Sequence, residues 1–516
     1  MRKPLLDNRR LQQTAQIFSL PSPTGGWNAR DNLAAMPPLD AVKMINFFPE
    51  NDGVTLRKGD VLFAEGMSGA VEFLFEYESA TSNDLLAASD GNFYDRTSGT
   101  PSAKATGLTN SQWQGENYNA RGFFVNGADA PKDWDGTTLA STSWTGTGLT
   151  ITDLINVRVV RDRLWFCEKD TSDAWYGGIG SITGALTKFA ISEIARNGTL
   201  TAIGSWSRDS GDGADDATVF VMSTGECLVY QGDVSSTFTL VGRYNAPEPI
   251  GRRCLINWGG ELVIITRSGY LTCTGIMEGK VRPDDAISEK IRDAVAQAVE
   301  NGGSLNGWAA LLTPDGRTLI FNVPVAQNST YDQHVINTIT GAWGQWKDRN
   351  MQSMASLNNS MYGGFAGGKV YRLEDGNQDA SAGFSVVKGV CKQASNSLVA
   401  PDRPLDGTKK EVTMLRPFVK GGGTVSLTMD VQADFSDLQL VANNQSLSPN
   451  AEPWETFDVF DWEDWELAWG QGSGIASTSL TVGAVGETFS IVLDGETAES
   501  LVWYSTDVIY RRGGII

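Results

Sequence analysis

The residue types that most often perform catalysis are sparse in this chain. Among 516 residues it has one histidine, His334, so a histidine-based triad would have to use that residue and a multi-histidine metal site is impossible. His334 lies in a strand-like run, which favours a packed side chain over a general base. The sequence contains no Walker loop, dinucleotide-binding fingerprint, HExxH or GxSxG motif. We therefore predict a protein that is not an enzyme, with no catalytic residue, no metal ligand and no cofactor.

Carboxylates are the remaining groups that could do chemistry. The acidic, glycine-rich segment 205–216 resembles a calcium loop, but it lacks the register of an EF-hand and its glutamate at the twelfth position, so we interpret it as a solvated loop. Paired carboxylates could also hydrolyse a glycan, and the candidates are Asp90, Asp135, Asp162 and Asp173. These residues lie at predicted turns, where backbone hydrogen bonding alone favours aspartate.

A third chemical feature is the segment 454–469, which holds four tryptophans, two phenylalanines and six carboxylates. Its aromatic faces could stack on sugars. The acidic residues alternate with the aromatic ones, however, as in an amphipathic insertion that lies on a surface. We predict a structural or subunit-contact role, with Trp454, Trp462 and Trp465 in an assembly interface.

The overall composition limits the classes of partner. The formal net charge is −20 and the pI is about 4.6, so tight non-specific binding of nucleic acid by a basic face is not expected. The five cysteines are widely spaced and include no CxxC pair, which indicates reduced, buried thiols in a protein made in a cytosol. Residues 1–10 lack the apolar run of a signal peptide, and no window of 18 apolar residues predicts a membrane-spanning segment.

The elements that would position these residues are predominantly β-strands. From residue 59 to 405, short apolar runs are split by turn pairs such as Asp90-Gly91, Gly259-Gly260 and Gly367-Gly368. The hairpins recur about every 35 to 50 residues, the period of a propeller blade. The pattern predicts an all-β chain built on a six- or seven-bladed β-propeller, with a β-sandwich as the alternative.

One helix is predicted to interrupt the propeller, near residues 283–301. It has an acidic first turn, apolar residues four apart from Ile287 to Val299, and a Gly302-Gly303 stop. Beyond residue 405 the apolar runs lengthen. We interpret 406–516 as a separate antiparallel β platform domain, sandwich-like or barrel-like, that carries the insertion 454–469.

The first 58 residues predict an extended arm. Five prolines between positions 21 and 49 exclude a long helix or a central strand. The segment is nevertheless too apolar to remain in water, so it must pack on the platform domain or on a neighbouring subunit. Its candidate interface residues are Trp27, Arg30, Asp31, Phe47 and Phe48.

Four parts of the chain resemble the tail nozzle, or packaged-DNA stabilisation, proteins of short-tailed bacteriophages (podovirus tail tubular proteins). The first is the arm phrase 23–31 with its continuation to Arg57, and the second is the phrase 126–136. The third and fourth are the phrases at 157–166, 174–176 and 201–206, and the strand–turn–strand at 254–288. No motif in these stretches is catalytic.

The resemblance implies a structural virion protein that forms a homohexameric ring below the portal and adaptor complex. Such a ring retains packaged double-stranded DNA, conducts it through a central channel into the host without specific binding, and contacts other tail proteins such as a spike, fibre or plug. It would be made in the bacterial host cytoplasm and reside in the phage tail. The alternative from the residues alone is a β-propeller that binds glycans or hydrolyses glycosidic bonds.

Overall fold

The chain forms two compact units, Gly59–Phe384 and a second unit made of Met1–Lys58 with Ser385–Ile516. The computed structural model describes residues 15–98, 101–209, 214–399, 409–421, 425–436, 443–447, 475–477, 479–497 and 500–512. The first unit is the propeller, and it ends 21 residues before the predicted boundary at 405. The arm belongs to the same unit as the C-terminal region.

The propeller begins with four blades, each an antiparallel sheet of four strands in chain order. Turn chemistry explains the hairpins, because both central residues of such turns need a positive φ and the chain supplies Asp90 (φ 48°) with Gly91 (φ 69°) in blade 1. The strands of blades 1 to 4 are Val71–Glu78, Asn83–Ser89, Asn92–Asp95 and Ser102–Ala105; Gln114–Tyr118, Arg121–Val125, Lys132–Trp134 and Leu139–Ser141; Leu154–Val160, Arg163–Glu168, Ala174–Tyr176 and Thr187–Phe189; Leu200–Asp209, Ala214–Met222, Glu226–Gly232 and Phe238–Asn245.

Three more blades complete the ring, which makes seven in the described part of 59–384. Blade 7 takes its fourth strand, Asp60–Ala64, from the start of the unit, where it pairs with Lys369–Leu373. The first strands of the blades contact one another in cyclic order, and blade 7 meets blade 1 where Ser353 Oγ donates to the Val71 carbonyl at 2.7 Å. The other strands of blades 5 to 7 are Leu255–Trp258, Glu261–Thr266 and Gly269–Thr272; Ala309–Leu312, Thr318–Ala326, Thr330–Asn337 and Trp343–Trp346; Ser353–Leu357 and Ser360–Phe365.

Apolar clusters between neighbouring blades form the core. Blades 1 and 2 share an aromatic cluster around Phe73 and Phe124, whose ring centroids lie 5.9 Å apart. Blades 5 and 6 are joined by Tyr270 and Phe321, stacked with centroids 3.9 Å apart. All five cysteines are buried thiols, as their spacing predicts. Burial raises the pKa of the Cys227 thiol to about 12.

The helical segment begins later than the sequence predicts. The α-helix is Arg292–Gly302, preceded by the 3₁₀ turns Pro283–Asp285 and Glu289–Ile291. Between those turns the backbone binds the edge of blade 5: Ile287 N–H donates to the Tyr270 carbonyl at 3.0 Å, and Ser288 Oγ accepts from Tyr270 N–H at 3.1 Å. Blade 5 has three strands, and this segment occupies the edge where the other blades have a fourth. The remaining short elements are the helix Cys273–Met277, the 3₁₀ turns Ile151–Asp153, Ile191–Glu193 and Ala380–Ala382, and the parallel pair Trp144–Thr145 with Gly184–Ala185.

The second unit contains two sheets. The first is built on Leu501–Arg512, which pairs with Lys410–Gly421 along one edge. Its other edge is covered by Gln16–Pro21 and by the hairpin strand Val54–Leu56. The remaining strands of this sheet are Phe47–Pro49, Leu480–Gly486 and Ile475–Ala476. The second sheet contains Gly26–Trp27, Asp40–Ile45, Val387–Gln393, Phe489–Thr497, Val425–Ala433 and Asn443–Leu447.

Arm residues fill the space between these two sheets. Phe47 is fully buried and approaches Gly389 and Gly495 of the second sheet, where a Cβ would lie 2.9 Å and 3.4 Å from its ring. Glycine at these positions therefore leaves room for the ring. Two arm strands, Gln16–Pro21 and Phe47–Pro49, end at prolines, as the restricted backbone of that residue favours. The expectation that the prolines exclude a central strand is wrong for Asp40–Ile45, which contains no proline and pairs with Gly26–Trp27 and with Val387–Gln393.

Candidate functional site

Two adjacent arginines cross the centre of the propeller. Arg252 and Arg253 lie in the linker that leads into blade 5, and in a ring of seven that blade stands opposite blades 1 and 2. Arg252 donates to the carbonyl of Asn126, at 3.0 Å, and to that of Gln112. Arg253 donates to the Glu72 carbonyl at 3.2 Å and also to the Trp113 carbonyl, just before the first strand of blade 2. The two guanidinium groups thus bridge opposite sides of the ring.

The local fold holds this linker in place. Gly251 adopts φ 69°, which turns the chain before the arginines. The Arg252 carbonyl accepts from Asn156 Nδ2 of blade 3 at 3.3 Å, and the same amide donates to Gln114 Oε1 at 2.8 Å. The arginine pair is therefore fixed at both its backbone and its side chains.

Burial controls the electrostatics of the pair. It lowers the pKa of Arg252 to about 10, and together with the charge of Arg252 it lowers the pKa of Arg253 to about 10. Both groups remain cationic at neutral pH. Burial also raises the pKa of Glu72, an effect opposed by the charge of Arg253 and by hydrogen bonds with Gln112 and Asn328. Since one carboxylate cannot neutralise two guanidinium groups, the site has a positive charge.

A pocket of about 490 Å³, part of it open to solvent, adjoins the arginines. It lies where the linkers enter the first strands of several blades, and blade 6 supplies its apolar wall through Trp308 and Tyr331. Gln352, which precedes the first strand of blade 7, is 3% exposed. Neither polar atom of its side-chain amide has a hydrogen-bond partner among the described residues. The pocket therefore combines cationic, carboxamide and aromatic groups.

The predicted interface residues of the arm divide into buried and accessible ones. Trp27 and Phe47 are buried in their own unit, 8% and 0% exposed, so the structure differs from the expectation that these side chains face a neighbouring chain. Phe48 is half-buried. Arg30 and Asp31 form an ion pair with 2.7 Å between Nε and Oδ1, and their side chains keep 28% and 23% exposure.

The arm phrase 23–31 has a local structural role. Asn28 Nδ2 donates to Asp31 Oδ2 and to Asp40 Oδ2, each at 2.8 Å. Its Oδ1 accepts from the backbone N–H groups of Arg30 and Asp31 at 3.0 Å. These bonds shape the loop that follows, residues 32–39, in which every residue except Met36 is exposed.

The four candidate glycosidase aspartates are distributed over three blades: Asp90 in blade 1, Asp135 in blade 2, and Asp162 and Asp173 in blade 3. Asp90 and Asp162 adopt positive φ in hairpin turns of blades 1 and 3. Asp135 accepts from the N–H groups of two following residues, and Asp173 is paired with Lys188 at 2.6 Å. Their local partners account for these residue types.

His334 is packed inside the propeller, as its strand-like surroundings predict. It is 2% exposed, and its Nδ1 lies 2.9 Å from the Tyr270 hydroxyl. Burial lowers its pKa to about 3, so the ring is neutral at neutral pH.

Two other sequence predictions fall partly or wholly outside the described residues. Trp454, Trp462 and Trp465 lie there, with the whole segment 454–469. The acidic segment 205–216 forms the ends of the long hairpin of blade 4, whose residues 210–213 are not described. In the part of the chain that the structure covers, no group of three or more His, Cys, Asp or Glu residues is arranged to hold a metal ion. The helices found there are also too short or too polar to cross a membrane.

Sequence reasoning missed the arginine pair. The available signal was two adjacent cations directly before the apolar run that starts at Cys254, in a chain of net charge −20. The partners of the pair lie about 130 to 180 positions earlier in the chain, and no local pattern reveals such contacts.

No family model matches this sequence, and no curated protein matches it. Among solved structures, the chain is similar to BBS1N, solved in complex with ARL6DN (TM-score 0.37, 10% identity, 61% of this chain and 97% of that chain). It is also similar to YCF48 bound to D1 peptide (TM-score 0.36, 10% identity, 66% and 99%) and to YCF48 from Cyanidioschyzon merolae (TM-score 0.36, 9% identity, 61% and 98%). BBS1N and YCF48 are β-propellers; the fold assignment made above depends on the seven blades themselves.

Proposed function

We propose that this protein is a structural subunit of a bacteriophage tail, which assembles as a ring of six below the portal and adaptor and forms a nozzle for packaged DNA. The resemblance of its sequence to tail nozzle proteins supports the proposal. A propeller accompanied by a second β unit is the architecture that the resemblance implies.

The observation that carries the assembly hypothesis is the loop 32–39 of the arm. Six of its seven exposed residues are apolar: Leu33, Ala34, Ala35, Pro37, Pro38 and Leu39. Leu33 and Leu39 keep 37% and 44% exposure. A heterologous interface closes a ring when a patch on one subunit meets a different patch on the next, and this loop is suited to be one of the two patches.

The DNA channel of such a nozzle lies between subunits, because Arg252 and Arg253 bridge the centre of each propeller. Six copies at −20 each give the ring a formal charge of −120. A lumen lined by carboxylates would repel phosphates and release no condensed counterions on contact, so duplex DNA would slide through it without being held.

The test is the oligomeric state of the purified full-length chain, alone and with the adaptor complex. Light scattering should give a mass near six times 55.6 kDa, and negative-stain images should show six-fold rings. The double variant Leu33→Glu, Leu39→Glu places charges in the proposed interface and should yield monomers.

The matched control is Ile339→Glu, at an exposed apolar position of blade 6 with 65% exposure, which should leave the rings intact. A wild-type chain that stays monomeric even with the adaptor complex would refute the ring. If the loop variant formed rings as well as the control does, the loop would not be the interface.

A further inference from the structure

The guanidinium groups of Arg252 and Arg253 carry positive charge that the described part of the chain does not fully balance. Each group donates to two backbone carbonyls, which have no formal charge. Burial disfavours the cation at Arg252, and no carboxylate of a described residue offsets that effect. Glu72 offsets it in part for Arg253. A buried charge is unfavourable unless an opposite charge accompanies it, so a further anion would stabilise the pair.

The carboxylate of Glu72 is directed to other partners. Gln112 and Asn328 form hydrogen bonds with it, and Arg253 donates to the backbone carbonyl of Glu72 and not to its carboxylate. One ionised carboxylate compensates only one of the two guanidinium groups. A ligand with a single negative charge therefore completes the charge balance of the pocket.

The unused donors and the size of the space specify a small ligand. A guanidinium group has five N–H donors, and two carbonyl contacts leave up to three for a ligand. Both arginines line the pocket, in which water-sized molecules can occupy about 60 Å³. That volume is room for about four water molecules. Sugars and phosphate esters are too large for it, whereas a halide ion is only slightly larger than a water molecule.

The other walls of the pocket favour a weakly hydrated ion. Trp308 and Tyr331 of blade 6 present aromatic surface, which cannot replace the water shell of a divalent anion. Glu72 also repels a second negative charge on the same ligand. A monovalent anion needs fewer hydrogen bonds, and the guanidinium groups can supply them.

We propose that this pocket binds one chloride ion, held by the N–H groups of Arg252 and Arg253. The bound ion balances the remaining charge of the pair and thereby stabilises the contact of the blade 5 linker with blades 1 and 2. All residues that line the pocket belong to the propeller unit, so the inference does not depend on ring assembly.

The first experiment is thermal unfolding of the full-length chain at constant ionic strength, with sodium gluconate replaced stepwise by sodium chloride. Gluconate is too large for the pocket, so the replacement should raise the Tm of the propeller transition. The rise should follow the logarithm of the chloride concentration once that concentration exceeds Kd, as expected for a ligand that binds only the folded chain.

Glu72→Gln is the decisive variant, because Arg253 binds the backbone carbonyl of this residue and keeps that contact. Removing the carboxylate leaves both cations uncompensated, so the apparent affinity for chloride should increase about tenfold. The matched control is Glu76→Gln, about 13 Å farther along the same strand, where the side chain accepts from Ser356 Oγ at 2.8 Å. This control should bind chloride as the wild type does.

Two further measurements complete the test. Arg252→Gln removes one cation and should abolish the effect of chloride on Tm; if that variant does not fold, Glu72→Gln decides the question. Crystals grown in sodium bromide should show one anomalous peak within hydrogen-bond distance of both guanidinium groups. The proposal is overturned if Tm is the same in chloride and gluconate, if Glu72→Gln and Glu76→Gln bind chloride equally, or if bromide is absent from the pocket.

Discussion

At the residue scale, His334 shows how burial overrides intrinsic chemistry. Desolvation inside the propeller outweighs the tendency of an imidazole to protonate near neutrality, and its pKa falls from 6.5 to about 3. Its hydrogen bond with the Tyr270 hydroxyl joins blade 5 to blade 6. The buried, neutral ring of His334 contributes to the packing between these two blades.

We predict that His334 makes the protein less stable in acid. Below pH 6.5 the His334 side chain is protonated in the unfolded chain, whereas in the folded chain it stays neutral down to about pH 3. The free energy of unfolding therefore decreases as the pH is lowered from 6.5 towards 3. His334→Asn keeps a polar atom near Nδ1 but does not titrate. Denaturant unfolding at pH 7.5 and pH 5.5 should show the variant gaining on wild type by about 1.4 kcal/mol per pH unit below 6.5. A difference that is independent of pH would contradict the burial argument.

Close packing against glycine gives a second prediction at this scale. A Cβ at Gly389 would meet Leu56 and would lie 2.9 Å from the Phe47 ring, so Gly389→Ala should destabilise the second unit by about 1–3 kcal/mol. Gly483→Ala is the control, because no atom lies within 4 Å of its added Cβ. Thermal unfolding should separate the two variants, and equal midpoints would mean that the sheets move apart without cost.

At the scale of elements, the closing strand of blade 7 depends on a buried charge. Arg349 and Asp60 have side chains at 0% exposure, with 3.8 Å between Nε and Oδ2, and Arg349 also contacts Glu374 at 2.5 Å. Its Nη2 donates to the Gly59 carbonyl at 2.9 Å. These contacts fix the strand Asp60–Ala64 at the point where it enters the blade.

We therefore predict that Arg349→Met detaches the closing strand of blade 7 and so opens the ring of seven blades. Removing one partner of a buried ion pair costs about 3–5 kcal/mol, and the strand Asp60–Ala64 should become sensitive to limited proteolysis. Arg372→Met in the same blade breaks only the ion pair with Asp375, in which the two side chains are 43% and 38% exposed, and should cost less than about 1 kcal/mol. Equal protease resistance of the two variants would contradict this role for Arg349.

These elements also show how far the sequence predicts the structure. Turn pairs such as Gly367-Gly368, both at positive φ, locate hairpins because their backbone demands are local. The pairing of Asp60–Ala64 with Lys369–Leu373, and the bridge made by Arg252 and Arg253, have no local signature. The helix near 283–301 begins late because the edge of blade 5 binds residues 287 and 288, a tertiary contact that outweighs helical periodicity.

At the scale of the whole molecule, the arm forms one compact unit with the C-terminal β platform. Its strands cover one edge of Leu501–Arg512 and its side chains fill the space between the sheets. The interface that the sequence predicts in the arm is therefore reduced to its exposed surface, chiefly the loop 32–39.

Deleting residues 1–48 should affect the two units differently. The propeller, Gly59–Phe384, has its own core and closing strand, so its calorimetric transition should persist. The second unit loses the strands Gln16–Pro21, Gly26–Trp27 and Asp40–Ile45 and should unfold at lower temperature. Ring formation in negative-stain images should be lost with it. Loss of the propeller transition as well would show that the arm stabilises both units.

In both units a strand from the start of the chain pairs with a strand made much later, which matters during synthesis on the ribosome. Residues 60–64 pair with residues 369–373. Residues 16–21 pair with residues 505–510, which emerge from the ribosome almost five hundred positions later. At about 5–20 residues per second, the early strands spend tens of seconds or more without their partners. The propeller can close once residues 369–373 have emerged, but the second unit lacks the partner of its first strand until residues 505–510 are made. A chain truncated before residue 505 therefore has a closed propeller beside an incomplete second unit.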